Sequence, residues 1–139
     1  MRFMVIRKAD EETEAGVLPS TELIDAMTRY NEELAKAGVL LDGMGLMASD
    51  RGALLHFDGA GGTTVTDGPF AEAKELVAGF SLVQAESLAD VIEWVKKWPT
   101  EDGHGNVEIE IRQVHEADAF GDALTDENRT YTADLNSHI

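Results

Sequence analysis

The chain opens with apolar residues on both phases of a strand: Phe3 and Val5 alternate with Met4 and Ile6. Phe3 to Arg7 is therefore predicted as a strand that needs cover on both faces. Asp10 to Glu14 reads as an acidic loop. Ser20, just past Pro19, is placed to cap a helix. Leu23, Met27, Tyr30 and Leu34 then recur at helical spacing and form one apolar stripe. Gly38 suits the position just beyond the helix end. Val39 to Met47 follows as a strand interrupted by Gly43 and Gly45, where a bulge is expected.

Ser49 to Gly52 reads as a turn, and Ala53 to Phe57 as a strand. Asp58 to Gly62 reverses the chain so that Thr63 to Thr66 pairs back. Asp67-Gly68-Pro69-Phe70 is a second turn leading into a short polar helix at residues 71–75. Val77 to Val83 is a strand with Ala78, Phe80 and Leu82 on one face. Ser87 to Asp90 resembles a capping box with Asp in place of Glu. Leu88, Val91, Ile92 and Val95 make the buried stripe of a second helix, which Pro99 stops. Lys96 and Lys97 suit its C-terminal end. Thr100 to Asn106 is a loop. Val107, Ile109 and Ile111 alternate with charged residues in a half-exposed last strand. From His115 onward periodicity is lost, and a loosely packed acidic tail is expected.

The order strand, helix, hairpin elements, strand, helix, strand matches a split βαβ, ferredoxin-like α+β unit with an antiparallel sheet. Both helices would cover one sheet face. The other would stay partly apolar, which calls for a partner, and a two-fold homodimer packed sheet on sheet is the simplest one.

The sequence has 139 residues, a length that fits one domain. Its formal charge of −16, from 11 basic and 27 acidic side chains, provides no basic footprint for nucleic acid. It equally disfavours an anionic membrane surface. No apolar run is long enough to span a bilayer, and the first residues read as a strand rather than a secretion signal. There is no cysteine, so disulfides, thiolate zinc sites and a Cys nucleophile are excluded. A cytoplasmic protein fits these features.

The segment Val65-Thr66-Asp67-Gly68-Pro69-Phe70-Ala71-Glu72-Ala73-Lys74-Glu75 closely resembles the motif TDGPFAETKE of the DGPF, YCII-related family, with Ala73 where Thr is common. The resemblance runs from residue 1 to about 114 and includes Val77-Ala78-Gly79-Phe80, Ala37-Gly38-Val39 and the Pro99 stop. On that basis residues 1–114 are the domain and 115–139 an acidic extension. The resemblance implies a dimeric α+β barrel of ferredoxin-like protomers. It also implies an association of some relatives with sigma factors. In the wider group a His in the first helix and an Asp before a Pro after the second helix are proposed as a catalytic pair. Here the first helix carries Arg29-Tyr30-Asn31, and Trp98 precedes Pro99.

Asp67 is the leading candidate for chemistry, as a base or ligand anchor; its alternative is an Asx-type turn residue. His56 would pair with it as a proton acceptor near neutral pH, or be a half-buried strand residue. Phe70, Glu72 and Lys74 are candidate ligand contacts; their alternatives are a core anchor and a solvated charged face. His104, His115 and His138 show no ligand spacing, so no metal site and no cofactor are expected. The glycines at 59–62 lack the Lys-Ser/Thr and the helix of a phosphate loop and read as a hairpin turn. Trp94 and Trp98 read as packing. The leading function is small-molecule binding or catalysis in a pocket near the DGPF motif. The alternatives are a regulatory or protein-interaction module, associated with sigma factors, and an acidic structural or stress protein.

Overall fold

The computed structural model describes residues 1–70 and 75–136. The elements are β1 (Arg2–Lys8), α1 (Glu11–Glu14), α2 (Thr21–Lys36), β2 (Leu40–Gly45), β3 (Ala53–Phe57), β4 (Thr63–Asp67), β5 (Val77–Gln84), α3 (Leu88–Val95), β6 (Ile109–Gln113) and α4 (Asp126–Asn136). Strands β2, β5, β1 and β6 form one antiparallel sheet in that order. Two central strands separated by a helical crossover, each flanked by an outer strand, make the ferredoxin-like arrangement. β3 and β4 stand apart as a two-stranded ribbon.

Period-two alternation decides which side of the sheet the helices cover. Phe3 and Val5 of β1 are buried, and their cross-strand partners Val83 and Ile111 lie on the same face. Tyr30 and Leu34 of α2, Val91 of α3 and Val39 complete this core. Phe3 and Val91 are the largest fully buried side chains, each contributing about 1.5–3 kcal/mol by burial. Tyr30 sets its ring edge toward Trp98 at 5.6 Å. Its hydroxyl donates to the Trp94 carbonyl at 2.8 Å.

The helix boundaries follow local chemistry. The Ser20 hydroxyl accepts the Leu23 N–H at 3.1 Å and starts α2. Gly38, at φ +74°, ends it. The Val39 N–H then reaches the Leu34 carbonyl and the Gly38 N–H the Ala35 carbonyl, a Schellman closure with Leu34 and Val39 in contact with one core. Ser87 caps α3 through the Asp90 N–H.

Four expectations are corrected. The stretch Asp10 to Glu14 is a one-turn helix, because Asp10 and Thr13 form a reciprocal capping box. The irregularity in β2 falls between Leu40 and Asp42, one step before the glycines. On α3, Leu88 and Ile92 are exposed while Val91 is buried, so the stripe is narrower than its spacing implied. The tail forms a 3₁₀ stretch at Ala117–Ala123 and the helix α4 despite its weak periodicity. Arg2 of β1 grips Glu116 at the start of that tail with two hydrogen bonds of 2.9 and 3.1 Å. The short helix expected at residues 71–75 falls largely outside the described residues.

Candidate functional site

The β3–β4 ribbon settles the geometry of the first candidate pair. Asp67 lies opposite Ala53, and His56 opposite Thr64. Three strand steps at about 3.3 Å each separate the two positions along the ribbon. An odd offset also puts their side chains on opposite faces. The structure therefore does not bring His56 and Asp67 together. Both are exposed, and the backbone just after the motif that an Asp67 cap would serve, residues 71–74, lies outside the described residues. Phe70 is half-buried, with its N–H donating to the Ser49 hydroxyl at 2.9 Å. Glu72, Lys74 and His138 lie outside the described residues.

The motif's glycine has a clear local reason. Gly68 passes so close to the Ser49 backbone that a Cβ there would overlap the Ser49 carbonyl. The Gly68 N–H donates to the Gly52 carbonyl at 3.1 Å. Ser49 in turn donates its N–H and its hydroxyl to the Glu14 carboxylate at 3.0 and 2.6 Å. The DGPF turn, the 3₁₀ turn at Ser49–Arg51 and α1 thus form one bracket at the foot of the ribbon.

A groove of about 880 Å³ opens beside this bracket, between the β2 and β5 edge of the sheet and the first turns of α2. Its floor exists because Gly43, Gly45 and Gly79 bring no side chains to the helix-facing side. A Cβ placed on Gly45 would meet nothing within 4 Å. Leu23, Ile24 and Met27 of α2 form the wall, and Val17, Leu18 and Met47 reach the rim.

One end of the groove is polar. Arg7 points from β1 into the helix-covered side, in phase with Phe3 and Val5, and is 7% exposed. Its guanidinium donates through Nε and Nη2 to the Asp102 carboxylate at 3.1 and 2.8 Å. Nη1 donates to the Lys8 carbonyl at 2.7 Å and to Asp10 at 3.2 Å. The Trp98 indole N–H donates to Asp102 at 2.9 Å. The Asp102 hydrogen bonds outweigh the opposing effect of burial and raise the Arg7 pKa above its ordinary value. Burial alone would raise the Asp10 carboxyl; the Thr13 N–H and Arg7 outweigh it and lower its pKa.

At the edge of this cluster Gly103, His104 and Gly105 take consecutive left-handed conformations, with His104 at φ +56°. A non-glycine residue there costs about 1–2 kcal/mol. The turn brings His104 Nε2 to 3.1 and 3.2 Å from the two Glu12 carboxylate oxygens. Among the described residues no group of three or more His, Cys, Asp or Glu is placed to hold a metal ion. No helix among them is long and apolar enough to cross a membrane.

Arg7 and Asp102 are not among the candidates the sequence offers, and His104 is weighed there only as a metal ligand. A signal existed for Arg7, since a charged residue in phase with Phe3 and Val5 has to be paired once that face is buried. Asp102 and His104 sit in an irregular loop where no period marks them.

The YCII-related domain matches residues 1–118. The chain belongs to the YCII-related family. Among curated proteins no sequence relative matches it. Of solved structures, the YCII-related chain is similar to 5-chloro-2-hydroxyhydroquinone dehydrochlorinase from Burkholderia phenoliruptrix, in complex with 2,5-dihydroxybenzoquinone. That similarity has 20% identity and a TM-score of 0.38, and it covers 84% of this chain and 96% of the other.

Proposed function

We propose that the chain binds a small, largely apolar molecule in the groove between β2, β5 and α2, with a hydroxyl or amine at its polar end. The carrying observation is the groove itself: about 880 Å³, apolar along its walls and polar at one end. This size and lining suit a small ligand. The charge at the polar end sets the ligand class. Arg7 is already neutralised by Asp102 and Asp10, and Glu12 and Glu101 line the same end. A carboxylate or phosphate would meet net negative charge there, whereas a hydrogen-bond donor or a cation would be attracted. His104, oriented by Glu12, can accept a proton from such a hydroxyl.

The test is a thermal-shift and NMR titration with three probes on one ring system: naphthylmethanol, naphthylmethylamine and naphthoate. The first two should bind and the third should not. Gly45→Leu fills the open floor and should abolish binding without loss of stability. Binding of naphthoate at equal strength would overturn the charge argument, and unchanged binding to Gly45→Leu would overturn the groove.

We also propose that the chain is a homodimer. Met4, Ile6, Phe80, Leu82 and Met44 share the sheet face opposite the one that α2 and α3 pack on, beside Glu110 and Arg112. A two-fold axis can set such a mixed-charge border against itself. Light scattering that finds a monomer would refute this. The acidic, cysteine-free composition supports a cytoplasmic location and no nucleic-acid partner.

A further inference from the structure

We propose that the β3–β4 ribbon is an arm that reaches a second copy of the chain and closes that copy's groove. The proposal rests on the groove reading above and adds what covers its open side.

Leu55 and Phe57 of β3 share one face of the ribbon with Val65 of β4. They are 51%, 70% and 60% exposed, and neither strand has a buried residue. A lone two-stranded ribbon is at best marginally stable in water, so this apolar face needs a surface to pack on. The chain's own body does not cover it, since every residue of both strands is exposed. Both legs of the arm are fixed at the bracket, where Gly68 bonds to Gly52, Phe70 to Ser49 and Ser49 to Glu14. That clamp holds the arm away from the body of its own protomer.

Charge favours a second copy at this place. At −16, two copies repel each other over most of their surface. Residues 53–66 carry Asp58 as their one acid or base apart from His56. The Asp58 carboxylate is held inside its own turn by the Ala60 and Gly62 N–H groups. The arm is therefore where two like-charged chains can touch with the least repulsion. The groove rim offers the matching surface in Leu18 and Met47, 86% and 73% exposed. Under a two-fold axis the exchange is reciprocal and leaves neither surface open.

The chain has no cysteine, so two single variants, Phe57→Cys and Leu18→Cys, can be mixed and treated with a short bismaleimide. The expected product is a covalent dimer joining one variant to the other. No cross-linked product, or product from Phe57→Cys alone, overturns the proposal. Phe57→Asp, at an exposed position, should keep its fold and its sheet-on-sheet dimer, and weaken naphthylmethylamine binding at least tenfold. A dimer with unchanged binding overturns arm closure. A wild-type monomer overturns it too, while the Gly45→Leu titration still reads the groove, so the two failures are distinguishable.

Discussion

Asp102→Ala tests whether the polar end of the groove is built around one buried carboxylate. In the wild type this carboxylate accepts two hydrogen bonds from Arg7, at 2.8 and 3.1 Å, and one from the Trp98 indole at 2.9 Å. Arg7 and Asp102 are only 7% and 9% exposed. Removing one partner of a buried ion pair costs about 3–5 kcal/mol, because the other charge stays desolvated. Asp10 still faces Arg7 at 3.2 Å, which places the loss near the lower end, about 3 kcal/mol. The orphaned Trp98 N–H adds about 1 kcal/mol. For a domain of this size a total of about 4 kcal/mol lowers Tm by roughly 12 °C. Thermal and urea unfolding measure it, and the loss should persist in high salt, since a buried pair is little screened. The double variant Arg7→Met with Asp102→Leu should lose much less than Asp102→Ala alone, because it leaves no buried charge unpaired; Asp10, which also loses Arg7, keeps its contact with water and the Thr13 N–H. A loss below about 1 kcal/mol for Asp102→Ala would refute the reasoning.

Gly68→Ala should cost about 2 kcal/mol or more, since its methyl would overlap the Ser49 carbonyl; a wild-type Tm in thermal unfolding would show that the bracket yields freely. Acid should destabilise the chain through Asp10 and Glu116, whose carboxyls lie below their ordinary values of 3.8 and 4.5. Arg2 hydrogen bonds are the main cause for Glu116. Depressed carboxyls contribute stability that is whole above the unfolded values, here above about pH 4.5, and is lost as pH falls through the lower folded ones. Glu116→Gln should flatten part of that slope in urea unfolding across pH. Burial pushes the Tyr30 hydroxyl up to about 12. Its share of stability is whole below pH 10, is lost as pH rises toward 12, and should vanish in Tyr30→Phe.

Much of the architecture was legible because local rules and burial agree there. Ser20, Gly38, Ser87 and Pro99 mark helix ends through backbone hydrogen bonding that operates within a few residues. Phe3, Val5, Tyr30, Leu34 and Val91 announced the core by period. The tail was less legible: α4 carries no apolar stripe, so periodicity could not reveal it. The candidate site was legible only in part. The DGPF turn was visible as a motif, but its function as a bracket depends on Ser49 and Glu14, which are distant in sequence from Gly68. His56 and Asp67 looked like a pair until the register of β3 and β4 set them on opposite faces.

The sequence by itself determined the class of fold, the helix caps, the exclusion of disulfides and the acidic character of the chain, because each follows from residue type and short-range spacing. The tertiary structure alone decided where the chemistry gathers. Arg7 and Asp102 are 95 positions apart, and Glu12 meets His104 across 92. Such meetings depend on how the crossover helices return each strand to the sheet, and long-range closure of that kind leaves no periodic trace along the chain.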